Sequence, residues 1–464
     1  MTELRCSLLV IGGGPGGYTC AARAARLGVD TILVEGNRVG GTCLNVGCIP
    51  SKSLIHVAQV YHTAVIQAGP GQLGVTVSAP ALDFSQMQDW SRGVVNTLRN
   101  GVAGLLERSG VKTLTGWARF LDGKSIEVAS DTGPVVVRAE HVVIATGSVP
   151  TELPGLPFGG RILDSTAALA LPQPPKRLAV IGAGYIGLEL GTAFAKLGSA
   201  VTMIEAAPAI LPQFDDKLTR PARTRLAALG ITLKLDTRTT GWNETTSTLG
   251  LAGSRGDETL DVDAVLVTVG RRPATDRLGL SELGLRRSGP FIEVDDRCRT
   301  SMRGVYALGD VTPGPMLAHR AMAQAEIVAD VVAGRANAWD KTCVPAVCFT
   351  DPEIACAGLL PSEVPAGVAS RVTEFPFRAN GRALTLDDPE GFVRLVSRED
   401  DHVVLGIQAT GPGVSELVSG FALVLEAGLR VEDIAGTIHA HPTLGEALQE
   451  AALAAASTRS LRDR

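Results

Sequence analysis

Residues 40–52 read GGTCLNVGCIPSK, with Cys43 and Cys48 five positions apart and Gly40, Gly41 and Gly47 around them. Two thiols at this spacing can form a structural bridge, ligate a metal, or open and close as a redox pair. Residue type alone leaves the choice open. A thiol that attacks a disulfide must first become a thiolate, so a reactive pair needs a base. Among the seven histidines, His441 in HPTLGE stands out. Pro442 restricts His441 to extended backbone and begins a helix well. Glu446, one turn into that helix, can reach back and hold the imidazole through one nitrogen, which leaves the other free for a thiol. His439, two residues upstream, reads as a supporting residue.

The elements that must position these groups are announced by an internal repeat. LLVIGGGPGGYTCAARAARLGVDTILVE (8–35) aligns without a gap on LAVIGAGYIGLELGTAFAKLGSAVTMIE (178–205). Each copy is an apolar strand, a G-x-G-x-x-G turn, a helix-period stretch ending in Leu-Gly, and a second strand closed by an acid. The matched positions are Gly12 and Gly182, Gly14 and Gly184, Gly17 and Gly187, Glu35 and Glu205. In such a turn the first glycine permits the bend, the second lets the backbone approach a diphosphate, and the third lets helix and strand pack closely. The helix N-terminus holds the diphosphate through free N–H groups, and the acid takes a ribose hydroxyl pair. One such turn is weak evidence, but two complete copies predict two bound dinucleotides. Glu205 is followed by AAPAIL, without a nearby cation, and its carboxylate would repel a 2′-phosphate. The second site is therefore expected to take NAD, and the first is left for FAD.

The chain as a whole agrees with a redox enzyme of this kind. Its 464 residues suffice for several domains, and a net charge of −5 without basic blocks argues against nucleic acid or a membrane surface as partner. The first residues lack the plan of a signal peptide, and no stretch reaches the roughly 20 apolar residues of a membrane span. Eight cysteines are too few for a disulfide scaffold. A cytoplasmic location is expected, and there a persistent disulfide is usually catalytic.

Further motifs follow in order: HVVIATGSVP (141–150), VLVTVGRRP (265–273), TSMRGVYALGDV (300–311) and MLAHRAMAQ (316–324). With the repeat and the cysteine segment, they make the chain resemble the pyridine nucleotide–disulfide oxidoreductases along essentially its whole length. The C-L-N-x-G-C-I-P-S-K wording and IHAHPTLGEA (438–447) are similar to the lipoamide-type branch of that family. GTIHAHPTLGEA is closest in wording to members serving branched-chain 2-oxo acid complexes. The resemblance implies oxidation of dihydrolipoamide by way of FAD to NAD. The alternative is reduction of another small disulfide. The expected partner is the lipoyl-bearing acyltransferase of a 2-oxo acid dehydrogenase complex.

The resemblance also implies roles. Cys43 and Cys48 form the redox-active disulfide, with Cys48 facing the flavin and Cys43 exchanging with substrate. Lys52 lies near the flavin and pairs with Glu189, and Tyr185 gates the flavin from the NAD side. Asp310 bonds the ribityl chain, with Leu317 and Ala318 beside the ring; Gly41, Thr42, Thr146 and Gly147 complete the FAD set, and Gly270 the NAD set. The C-terminal domain makes a homodimer in which His441 serves the other subunit's disulfide. Spacing is compatible with the redox reading. At a helix start, residues about one turn apart can approach a disulfide's Cα separation of about 4.4–6.8 Å, with glycines absorbing the distortion. Cys343 and Cys348 in CVPAVC have the same spacing, no glycine, and the surroundings of a buried strand, so they read as small apolar side chains. Neither pair has ligand partners at zinc spacing, and no metal is expected.

The predicted fold is α/β, with two Rossmann-like dinucleotide-binding domains and a C-terminal α+β dimerisation domain. The FAD domain takes 1–150 and returns over 273–343, the NAD domain is inserted at 151–272, and the interface domain takes 344–464. The last dozen residues lose pattern.

Overall fold

The computed structural model describes residues 2–69, 73–131, 133–254 and 256–457, with only the backbone at 281 and 282. The end of the pattern-poor tail, 458–464, lies outside the described residues.

The first repeat builds the centre of a seven-stranded sheet. Thr2–Ile11 lies between Thr31–Glu35 and Gly133–Ile144, all parallel, with Lys112–Thr115 and Val305–Ala307 extending the parallel part. Leu8, Leu9 and Val10 are fully buried because both faces of the sheet are covered: Leu8 and Val10 pack with the helix residues Ala21, Ala24 and Val328, and Leu9 with Phe120, Ile126 and Leu278 on the other side. Ser125–Ser130 and Trp117–Phe120 continue the sheet antiparallel. The second repeat builds a five-stranded parallel sheet around Arg177–Ile181, flanked by Ala200–Ile204 and Ala264–Val267. A three-stranded antiparallel sheet (Thr237–Asn243, Thr248–Gly253, Gly256–Asp261) hangs from it. Between the two parallel sheets the chain crosses twice, and the crossing strands Ser148–Pro150 and Arg271–Pro273 pair antiparallel with each other.

The C-terminal part is a five-stranded antiparallel sheet, from Ala346–Cys348 through Glu353–Gly358, Val404–Gly411 and Phe392–Arg398 to Ser370–Pro376. The helices Val414–Glu426 and Glu446–Ser457 pack on it over a core that includes Phe377, Leu395, Ile407, Phe421 and Ala451. A larger core joins all three units. Leu54 and Ala58 of the helix Cys48–Ala68, Leu188 and Phe194 of the helix Tyr185–Lys196, and Cys348, Ile354 and Phe392 of the C-terminal sheet form one cluster. Cys348 is fully buried there, and Cys343 half-buried, consistent with thiols used as apolar filling. Among the described residues no helix is long and apolar enough to cross a membrane.

Candidate active site

The two fingerprints fold alike. A Cβ on Gly12 would meet the Ala145 carbonyl oxygen at 2.4 Å, and one on Gly182 the Thr268 oxygen at 2.7 Å; both residues also have left-handed φ, +104° and +100°. A Cβ on Gly17 would lie 1.8 Å from the Gly12 oxygen, and one on Gly187 1.9 Å from that of Gly182. These two glycines do not line the cavity. Their part in the predicted cofactor sets is therefore to let helix and strand touch. Gly14 and Gly184 behave differently: the first would meet only the Gly41 Cα, at 3.9 Å, and the second nothing within 4 Å. Space at the second glycine, at the mouth of a helix N-terminus, is what a diphosphate requires. Glu35 accepts hydrogen bonds from the Gly13 and Asn37 amides at 2.6 and 2.8 Å, and Glu205 from those of Ala183 and Ala207, both at 2.8 Å. Each acid is thus aimed by its own turn.

Both cradles open into one cavity of ≈ 2750 Å³. A site for a single drug-sized ligand is typically about 300–1,000 Å³, so this one has room for two dinucleotides. Gly41, Thr42, Cys43, Cys48, Lys52, Thr146, Gly147, Tyr185, Glu189, Gly270, Asp310, Leu317 and Ala318 all line it. These residues fit FAD and NAD through the two open glycines, the two aimed acids and the shared wall between them.

On that wall stand the cysteines. Gly41–Val46 forms a short helix, Gly47 breaks it, and Cys48 opens the helix Cys48–Ala68. The break brings the two thiols into hydrogen-bond contact, unbonded to each other. Their acidities separate. Cys48 is held down to about 7, first by the hydrogen bond from Cys43 and, against its burial, by the charge of Lys52. Cys43 is pushed far up, first by donating that bond and then by burial.

One turn on, Lys52 Nζ lies 2.7 Å from Glu189 Oε2. Glu189 Oε1 accepts the Phe349 amide at 3.0 Å, and the Phe349 ring lies 4.4 Å from the lysine nitrogen. Tyr185, at the start of the same helix as Glu189, packs edge-on against Phe214, and burial pushes its phenol up. Opposite, Asp310 sits in the 3₁₀ turn Gly309–Val311 and accepts the Ser148 hydroxyl at 2.6 Å. Arg271 donates to Ser148 through Nε at 2.8 Å and to its carbonyl at 2.7 Å. Arg271 is half-buried, and desolvation lowers its pKa against the pull of Asp310, Asp164 and Cys48. Ser148 and Arg271 escape a reading of the sequence. Both lie within motifs, but only the pairing of the crossing strands shows that they converge on Asp310.

His441 is placed apart. Its side chain is 79 % exposed, and it does not line the cavity. Glu446 Oε1 holds its Nδ1 at 2.8 Å, while Oε2 accepts the Thr443 amide at 2.7 Å. These contacts hold the Glu446 carboxyl below its usual range, the Thr443 amide first and His441 second. The expected route to this pair needs correction. Pro442 does not begin the helix, which starts at Glu446 itself, and the His441–Pro442 bond is cis. Glu446 therefore reaches His441 across a tight turn and not from one turn into a helix.

Residues 6–325 match the family model for pyridine nucleotide-disulphide oxidoreductase, and residues 344–452 match that for the dimerisation domain of the same family. A dihydrolipoyl dehydrogenase of Pseudomonas aeruginosa is 52% identical over 455 residues, covering 97% of this chain and 98% of that protein. One from Geobacillus stearothermophilus is 43% identical, covering 97% and 96%. Among solved structures, LpdA from Mycobacterium tuberculosis superposes with a TM-score of 0.88 at 28% identity, covering 97% of this chain and 99% of that one. The HOCl-induced flavoprotein disulfide reductase RclA from Escherichia coli gives 0.86 at 28%, covering 96% and 99%.

Proposed function

This chain belongs to the pyridine nucleotide–disulphide oxidoreductase family, and from that premise we propose how its residues carry the reaction. The reaction is FAD-dependent oxidation of dihydrolipoamide with reduction of NAD. In the oxidised enzyme a substrate thiolate attacks Cys43 Sγ, the Cys43–Cys48 bond breaks, and Cys48 leaves as a thiolate. The second substrate thiolate attacks the sulfur bonded to Cys43, closing the substrate disulfide and releasing Cys43. The substrate has lost two electrons and two protons, and the enzyme disulfide has become a dithiol. FAD, held by the Gly12–Gly17 turn, Glu35 and Asp310, would supply the two-electron chemistry between this dithiol and NAD held at Gly184 and Glu205, so that the enzyme disulfide is restored.

The observation that carries this reading is the placement of two adjacent thiols on the wall shared by both cradles, with Cys48 opening the helix that carries Lys52 one turn on. A thiol with a low pKa is the better leaving group, so attack at Cys43 expels Cys48 beside Lys52. The base that takes the substrate's proton is His441, oriented by Glu446. Because His441 stands outside its own cavity on the segment matching the dimerisation domain, it serves the partner subunit's Cys43–Cys48 pair in a homodimer. The working units are 1–150 with 273–343 for FAD, 151–272 for NAD, and 344–464 for dimerisation. The protein works in the cytoplasm on the lipoyl-bearing acyltransferase of a 2-oxo acid dehydrogenase complex, with the wording around His441 favouring a branched-chain complex. Assays of NAD reduction by dihydrolipoamide and of NADPH oxidation by glutathione disulfide test the reading. Activity only in the first is expected, and activity only in the second would overturn the substrate and nucleotide assignments together.

A further inference from the structure

The Lys52–Glu189 contact has a twin. The helices Cys48–Ala68 and Tyr185–Lys196 pack against each other, and seven residues beyond the first contact on each of them Lys196 meets Gln59. Seven residues is two helical turns, about 10 Å along the axis. The same C-terminal segment serves both rungs. Phe349 covers Lys52 and holds Glu189, and two residues later Asp351 Oδ2 lies 2.7 Å from Lys196 Nζ. The cation sits on one helix in the first rung and on the other helix in the second.

The rungs differ in surroundings. The first opens on the cavity; none of Gln59, Lys196 and Asp351 lines it. Only 6% of the Lys196 side chain and 15% of that of Asp351 are exposed. The other groups facing this rung are Arg225, with Nε 3.6 Å from Asp351 and a guanidinium nitrogen 2.8 Å from Asp388, and His62 on the same helix as Gln59. Burial lowers His62 and raises Asp388, and Asp388 is engaged by Arg225. A buried ion pair of this kind contributes little net stability but strongly penalises any arrangement that separates its members. It therefore fixes register between helices better than it stabilises the fold.

We propose that Lys196 is a positioning residue for the redox centre: bonded to Gln59 and Asp351, it locks the two helices and the C-terminal segment so that Lys52 stays beside Cys48. This deepens the function proposed above and rests on it, because it requires Cys48 to face the flavin. Cys48 is faced by Cys43, Lys52, Glu189 and Arg271; of these, Lys52 and Glu189 sit on the rung that Lys196 braces.

The test is a pH titration of the thiolate-to-flavin charge-transfer band in the two-electron-reduced holoenzyme. Lys196→Met is expected to raise its midpoint by roughly half a pH unit, about a threefold loss of thiolate near the midpoint, and Lys196→Arg to restore it. Gln59→Leu, which leaves Asp351 in place, gives a smaller rise and carries the test if Lys196→Met does not fold. Arg394→Met is the control, since it breaks a second ion pair between the same two units, of buried Arg394 with half-exposed Asp215 at 2.6 Å, without touching either rung. An unchanged or lowered midpoint in Lys196→Met overturns the inference, as does an equal rise in Arg394→Met. Absence of the band from the wild-type protein would instead refute the placement of Cys48 against the flavin.

Discussion

Two alanine substitutions three residues apart, Gly184→Ala and Gly187→Ala, should fail in opposite ways. At Gly187 the new methyl would sit 1.9 Å from the Gly182 carbonyl oxygen. Ordinary contact begins near 3.4 Å, so helix and strand must part by about 1.5 Å in a well-packed interior. Overpacking of this kind costs about 1–3 kcal/mol, and the obstructing atom is backbone, so the upper end applies. At about 2–4 °C per kcal/mol for a domain of this size, the thermal midpoint should fall by about 6–12 °C. At Gly184 the methyl meets nothing within 4 Å, and φ is −83°, open to alanine. Stability of the NAD-free protein should hold or rise by about 0.4–1 kcal/mol, because alanine restricts the unfolded chain. The methyl does occupy the approach to the helix N-terminus, where anion contacts are worth up to about 2 kcal/mol, so KM for NAD should rise by about tenfold or more. Calorimetry without NAD and steady-state kinetics with varied NAD separate the two. A Gly184→Ala protein that melts early with unchanged KM, or a Gly187→Ala protein of normal stability, would refute the division between packing and binding glycines.

Other outcomes follow from the same geometry. Ser148→Ala removes the hydroxyl between Arg271 and Asp310; a hydrogen bond to a charged group is worth about 1.5–3 kcal/mol, so FAD, followed by its fluorescence on release, should dissociate at least tenfold faster. His441→Gln should lower dihydrolipoamide turnover by about two orders of magnitude or more while flavin reduction by NADH stays normal, which stopped-flow absorbance would show. The Arg23 guanidinium, 2.9 Å from Asp330, holds that carboxyl below its usual range. A carboxyl lowered in the folded state stabilises the protein above its unfolded pKa, about 4, and loses that effect as pH falls through the folded value. Arg23→Met should therefore lower the melting temperature at pH 7, and the difference from wild type should shrink progressively as pH falls below about 4.

What the sequence revealed of the site depended on how locally each signal is written. Gly12, Gly14, Gly17 and Glu35 constrain one another within a single strand–turn–helix–strand unit, so their roles survive reading in one dimension, and the second copy doubles the signal. The cysteine segment carries its own glycines and is equally self-contained. Arg271 and Ser148 are 123 residues apart, and only the pairing of two crossing strands makes them neighbours. Lys196 meets Asp351 from another unit altogether; on the sequence it is one more lysine near a helix end. Pro442 shows the opposite hazard. Its usual preference for the first turn of a helix is real, but the Glu446 carboxylate, gripping both Thr443 and His441, keeps residues 442–445 in a turn.

The paired crossing strands have a consequence for how such a molecule can change over generations. Where Arg271↔Pro150 and Pro273↔Ser148 are zipped together, the chain leaves the first sheet and returns to it at nearly one point. A segment hung from such a point adds little loop-closure entropy whatever its length. The inserted unit's own sheet can therefore vary while Asp310, Ser148 and Arg271 keep the host sheet's cofactor contact at the join, but its helix Tyr185–Lys196, which shares a core with both other units, can change only together with them.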